Sequence, residues 1–145
     1  MRGNERGAMK IRTGIAPLDE RTGGLQSGGL YVVVGPPGPA KMVTALQFVH
    51  QGVRAGERVA LLTTGDAEAT LQVAEAWGFP MAEPWRGGQL QLIGFQEQFE
   101  LRALRAVNPD EVLEELQGLL HDDVARIGVD PASLFLAGPA RTQLA

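Results

Sequence analysis

The sequence predicts an α/β fold, a mostly parallel sheet flanked by helices, on three observations. Short apolar runs alternate with stretches of helical apolar spacing, the pattern of right-handed strand–helix–strand crossovers. The run Leu30-Tyr31-Val32-Val33-Val34 is apolar without a break, as expected of a strand buried on both faces. A turn rich in glycine and proline follows it, and a helical pattern follows the turn.

Each element has its own signal. Residues 1–9 are polar and read as a loose tail, with 10–145 as a single domain. Residues 10–29 hold Gly23-Gly24 and Gly28-Gly29 and read as a short helix between turns. Leu30 to Val34 is the first strand. Lys41 to Arg54 is a helix offering Val43, Leu46, Phe48 and Val49 to the core, with Gly56 after its end. Arg58 to Thr63 is the second strand and Ala67 to Trp77 the second helix, stopped by Gly78 and Pro80. Gln89 to Phe95 is the third strand. Residues 96–107 are ambiguous, with Phe99, Leu101 and Leu104 spaced to line a short helix. Asn108-Pro109-Asp110-Glu111 opens a helix to about Leu120, with an Asn cap and proline in the first helical position. Ala125 to Val129 is the fourth strand, ending at Asp130, and a short tail follows.

Composition narrows the function. A chain of 145 residues is long enough for one real core, and 44% apolar with 21% charged residues is ordinary for a globular domain. The net charge of −4 argues against a dedicated nucleic-acid binder. There is no cysteine, hence no disulfide and no thiolate metal site. His50 and His121 lack ligand spacing. No apolar stretch spans a bilayer and no secretory signal opens the chain, so a cytoplasmic location is expected.

The chemistry concentrates at Gly35-Pro36-Pro37-Gly38-Pro39-Ala40-Lys41-Met42. A strand, this loop and a helix are the setting of a phosphate-binding P-loop: Gly, four residues, Gly, Lys, then Ser or Thr. Its backbone N–H groups and helix N-terminus cradle phosphate oxygens. Here Ala40 stands in place of the second glycine, and Met42 in place of the hydroxyl that holds Mg²⁺. Pro36, Pro37 and Pro39 have no N–H to give. If position 40 needs a left-handed backbone, alanine there costs about 1–2 kcal/mol. Lys41 is one of only two lysines, with Lys10. A lysine at a helix start opposes the dipole unless an anion is present. Asp130, at the end of an apolar strand, fits a Walker B aspartate behind the metal-bound water, against the simpler reading as an aspartate–proline turn. Trp77, Phe79 and Trp85 read as packing residues. The acids at 97, 100, 111, 114 and 115 read as solvated or capping charges, and Asp122-Asp123 as a loop.

The run Arg12-Thr13-Gly14-Ile15-Ala16-Pro17-Leu18-Asp19, then Gly23-Gly24-Leu25, Gly28-Gly29-Leu30 and Gly35-Pro36-Pro37-Gly38, resembles the opening of the KaiC-like branch of the RecA superfamily. Ala45-Leu46-Gln47-Phe48, Gly56-Glu57-Arg58-Val59, Pro109-Asp110-Glu111-Val112-Leu113 and Val129-Asp130-Pro131-Ala132-Ser133-Leu134-Phe135 extend the likeness over about residues 10 to 136. The resemblance implies a RecA-like P-loop core that binds ATP, often in a ring with ATP between subunits. It implies Gly35 to Met42 as the nucleotide loop and Asp130 as the Mg²⁺ position. The family commonly carries paired glutamates after its second strand, one of them activating the attacking water. Here that place reads Thr64-Gly65-Asp66, leaving Asp66 as the one acid for the catalytic role. The family also places a later strand between the P-loop and Walker B strands. This chain stops soon after Asp130, either as a piece cut short or as a short relative, so the core is expected to lack that strand.

The expected function is an altered KaiC-like ATP-binding domain in regulation or assembly, with little or no ATP hydrolysis. It would work as a homo-oligomer or with a partner protein, away from membranes and nucleic acid. The alternatives are an active ATPase with an atypical loop and, third, a recombinase-like DNA binder.

Overall fold

The computed structural model describes residues 9–94 and 109–130, the last stretch by backbone alone as far as 113. Residues 1–8 of the expected 1–9 tail, the ambiguous stretch 96–107, the Asn108 cap and residues 131–145 lie outside the described residues. The elements in order are β1 (Lys10–Ile11), α1 (Ala16–Thr22), β2 (Leu25–Gln26), α2 (Ala40–Arg54), β3 (Arg58–Thr63), α3 (Ala67–Ala76), α4 (Ala82–Arg86), β4 (Leu90–Gly94), α5 (Pro109–Leu119) and β5 (Val124–Asp130).

Among these elements the main sheet has the order β4-β3-β5. Both pairings are parallel, with Leu61 opposite Leu92 on one side and Gly128 on the other. This is the α/β architecture expected from strands separated by helices, a three-stranded parallel sheet flanked by helices among the described residues. β3 is central, and Val59, Ala60, Leu61, Leu62 and Thr63 are all buried. Its alternation divides the core. Val59 and Leu61 pack with Leu46 and Val49 of α2, Ala74 of α3, Met81 and Leu90. Ala60 and Leu62 pack on the opposite face with Leu116 of α5. The sheet is therefore a middle layer between helices, which explains why its central strand carries no polar side.

α2 lies close against the sheet where Gly52 faces Val59 and Arg126. A Cβ on Gly52 would fall 2.7 Å from Val59 Cγ1 and 2.8 Å from Arg126 Cδ, so only glycine allows this approach. Beside it, Arg126 is buried and meets Glu57 in a two-pronged ion pair, Nε to Oε2 at 2.5 Å and Nη2 to Oε1 at 3.2 Å. Its remaining nitrogen donates to the Arg12 carbonyl. The guanidinium also stands over the Phe48 ring, 5.0 Å from the centroid. One buried cation thus joins β5, α2, the start of β3 and the N-terminal segment.

Several expectations are corrected. Leu30 to Val34 is not a strand of the sheet; it has no ladder partner, and all its side chains are exposed. Its uninterrupted apolarity suits a buried strand, but such a strand needs neighbours on both edges, and β5 pairs only with β3 among the described residues. β1 and β2 form a small antiparallel ladder, Lys10 opposite Gln26, too short to leave a pattern in the sequence. α4 was not expected. Trp77 and Trp85 are 51% and 40% exposed, so they pack only in part, whereas Phe79 joins the core beside His50.

Candidate phosphate-binding site

The site is built at the carboxyl end of the sheet. α2 runs antiparallel to β3 and β5: Gly52, near its end, meets Val59 and Arg126, while the Ala45 carbonyl lies near Gly128. Its N-terminus therefore sits at the end where β3 finishes at Thr63 and β5 at Asp130, which are opposite each other in register. Asp66 follows Thr63 by one short turn. The loop at 35–41, Asp66 and Asp130 thus belong to one end of the sheet, as in open α/β sheets that bind ligands beyond their strand ends.

Ala40 opens α2, and no residue but glycine has a positive φ among those described. The feared left-handed alanine does not arise. The unusual backbone falls instead on Gly38, at φ 143°. Pro39 sits at the cap with φ −75°, which its ring already favours. The first helical hydrogen bond in this turn runs from Val43 N to Pro39 O, 2.9 Å. The N–H groups of Ala40, Lys41 and Met42 precede it and have no acceptor within the helix. They are the donors an anion would meet there.

Lys41 supplies the charge. Its Nζ donates to the Pro36 carbonyl at 2.6 Å and the Gly35 carbonyl at 3.2 Å. The ammonium is therefore folded over the loop, held by the kind of oxygen a phosphate would offer. Pro36 and Pro37 have no N–H to donate, but the Pro36 carbonyl accepts from Lys41.

Met42 packs against the α2 core cluster with Ala45 and Phe48. The position expected to carry a hydroxyl is thus a packing position. Thr44 Oγ1 donates to the Ala40 carbonyl at 2.7 Å, which turns it back along the helix. Asp66 caps α3, its Oδ1 accepting from Ala69 N at 2.7 Å. Asp130 is half-buried at the strand end. No group of three or more His, Cys, Asp or Glu side chains able to hold a metal occurs among the described residues. The donors present fit phosphate oxygens. They do not fit Mg²⁺ in the usual way, because one carboxylate, Asp130, stands without the hydroxyl beside it.

A second polar centre, not foreseen, fixes the approach to α2. Asp19, 6% exposed, accepts from Thr13 N at 2.9 Å, Thr13 Oγ1 at 2.7 Å and Gly14 N at 3.1 Å. Burial pushes its carboxyl up. The hydrogen bonds from Thr13 and Gly14, with the Arg12 charge, more than offset this and hold it below its ordinary value. Gln47 of α2 donates to the Gly14 carbonyl at 2.7 Å. A threonine and glycine before a helix, with an aspartate inside it, was the available signal. The Arg126–Glu57 pair left none, since its partners are far apart in the sequence.

Comparison with known proteins gives the context. The family model described as "ATPase: KaiC" matches residues 11–136. The circadian clock oscillator protein KaiC of Rippkaea orientalis is 31% identical over 86 residues, covering 58% of this chain and 16% of that protein. The protein of the same name from Picosynechococcus sp. is 30% identical over 86 residues, covering 58% and 17%. The chain spans only a small part of the length of these curated relatives. Among the described residues, no helix is long and apolar enough to cross a membrane.

Proposed function

The chain belongs to the KaiC ATPase family, and from that premise we propose that it is an ATP-binding domain with little or no ATP hydrolysis, serving regulation or assembly. The observation that carries this reading is the pairing of a retained Lys41 with a Met42 turned into the core. Lys41 and the free N–H groups at the start of α2 suit a triphosphate. Gly35 and Gly38 let the backbone approach it. When bound, ATP would supply the phosphoryl groups. The residues that would position Mg²⁺ and the attacking water are altered, Met42 for the metal and Asp66 for the water. Asp66 is committed to the α3 cap and is shorter than a glutamate by one methylene. Small misplacements of this kind lower rates roughly a hundredfold. Association with a second copy or a partner protein would carry the output.

An active ATPase is the second reading. Asp130 supports it, because it stands at the strand end where a Walker B acid belongs. The test is phosphate release from ATP with Mg²⁺, beside Lys41→Ala. Binding without release supports the proposed role. Release that needs Mg²⁺ and is lost in Lys41→Ala supports the second reading.

A further inference from the structure

We propose that Thr63 supplies the hydroxyl of this site, donating its Oγ1 proton to the terminal phosphate of bound ATP and so selecting the triphosphate over ADP. The assignment rests on the ATP-binding reading and adds to it a specificity residue outside the loop.

Heights along the fold put Thr63 beneath the start of α2. The Ala45 carbonyl lies 3.6 Å from a Cβ built on Gly128. Lys41 precedes Ala45 by one turn, about 6 Å of helix. Asp130 lies beyond Gly128 by about 6.6 Å of strand. The first turn of α2 therefore stands level with Asp130 and with Thr63, its partner in register. Both residues share the face that α2 covers. Val59 and Leu61 pack with Leu46 and Val49 of that helix, and Thr63 continues their alternation. On β5, Arg126 and Gly128 meet Gly52 and Val49, and Asp130 continues theirs. A P-loop lysine reaches the β- and γ-phosphates. A hydroxyl at the height of Lys41 is thus at the far end of the phosphate chain.

The Thr63 hydroxyl is half used. The residue is only 6% exposed. Its Oγ1 accepts from Gly65 N at 3.3 Å, and its own proton meets no acceptor among the described residues. A buried donor left without a partner is costly. An ionised phosphate oxygen is a strong acceptor for it. The neighbouring hydroxyls are already committed: Thr70 Oγ1 donates to the Asp66 carbonyl at 2.8 Å, and Thr44 Oγ1 to the Ala40 carbonyl at 2.7 Å. The strand end reaches the surface at once, for Thr64 is exposed and Gly65 half-buried. Gly65 carries no side chain over the hydroxyl; a Cβ there would stand 3.9 Å from Thr63 Oγ1.

Asp130 makes such a donor necessary. A carboxylate beside a phosphate repels it unless a cation stands between them. Met42 packs into the core and gives no ligand to such a cation. A neutral donor next to Asp130 offsets part of the repulsion and gives the terminal phosphate a fixed contact. ADP lacks the group that would take it.

The experiment is calorimetric titration of ATP and of ADP, without Mg²⁺, into the parent chain, Thr63→Val and Thr63→Ser, each checked by thermal melting. Thr63→Val removes the hydroxyl and keeps the branched shape. It is expected to bind ATP about tenfold more weakly with ADP binding unchanged, and Thr63→Ser to bind both as the parent does. A folded Thr63→Val that keeps the parent's ratio of ATP to ADP affinity overturns the assignment and leaves the ATP-binding reading intact. A parent chain that binds neither nucleotide overturns that reading and the assignment with it. Should Thr63→Val fail to fold, methyl NMR of the parent decides. The Thr63 methyl signal, identified by its loss in Thr63→Ser, should shift at saturating ATP and not at saturating ADP; a signal that moves equally with both, or with neither, overturns the assignment.

Discussion

Lys41 Nζ donates to the carbonyl of Pro36 at 2.6 Å, so the loop's own backbone holds the cation that a phosphate would recruit. Binding an anion here replaces a neutral acceptor with a charged one at little conformational cost. The contact is exposed, which limits what it adds to stability. Lys41→Ala is expected to shift unfolding by no more than about 0.5 kcal/mol while abolishing ATP binding. Denaturant melts and calorimetric titration of the same variant check the two halves.

Met42 offers a gain-of-function prediction. Met42→Thr restores a hydroxyl next to Lys41 but withdraws a side chain from the α2 cluster. The expected cost is about 1–2 kcal/mol, below that of a fully buried large-to-small change. ATP binding should become more dependent on Mg²⁺ than in the parent, measured by titration with and without the metal.

Glu57→Ala removes the partner of a buried guanidinium. Arg126 has 3% of its side chain exposed and cannot find water to replace the carboxylate. The variant should lose roughly 3–5 kcal/mol, the cost of leaving a charge buried and unpaired. Replacing Arg126 and Glu57 together by Met and Leu should recover a large part of that loss, measured by urea unfolding.

Asp19 gives a pH signature. Its folded carboxyl titrates below the ordinary value of 3.8. The stability it contributes is therefore complete above that value and is lost as pH falls through the folded pKa. The unfolded chain binds the proton first, so stability falls with pH in that window. Asp19→Asn should flatten the acid limb of a stability profile between about pH 5 and pH 2, and should lower stability at pH 7 by roughly 1–3 kcal/mol.

The order of helices and parallel strands was legible because its signal is local. α2, β3, α3, β4 and β5 fall within one or two residues of expectation, each marked by a period and a stop such as Gly56 or Gly78. Leu30 to Val34 has the composition of a buried strand but is neither laddered nor buried, because pairing and burial depend on neighbours that no run of residues describes. Asp66 shows a different gap. A carboxylate after a strand suits both a catalytic acid and a helix cap, and the geometry shows the cap, accepted from Ala69 N. The strain expected at Ala40 vanished because the helix starts there, which shifted the unusual backbone to Gly38. The Arg126–Glu57 pair joins residues 69 apart and was beyond the reach of motif reading.

Calorimetric titration of ATP into the folded protein, with and without Mg²⁺, tests the central claim most directly. The account predicts binding of similar strength in both, because Lys41 and the N-terminus of α2 meet the phosphates while Met42 offers no ligand to the metal. No binding at millimolar ATP, or binding only when Mg²⁺ is present, would contradict it.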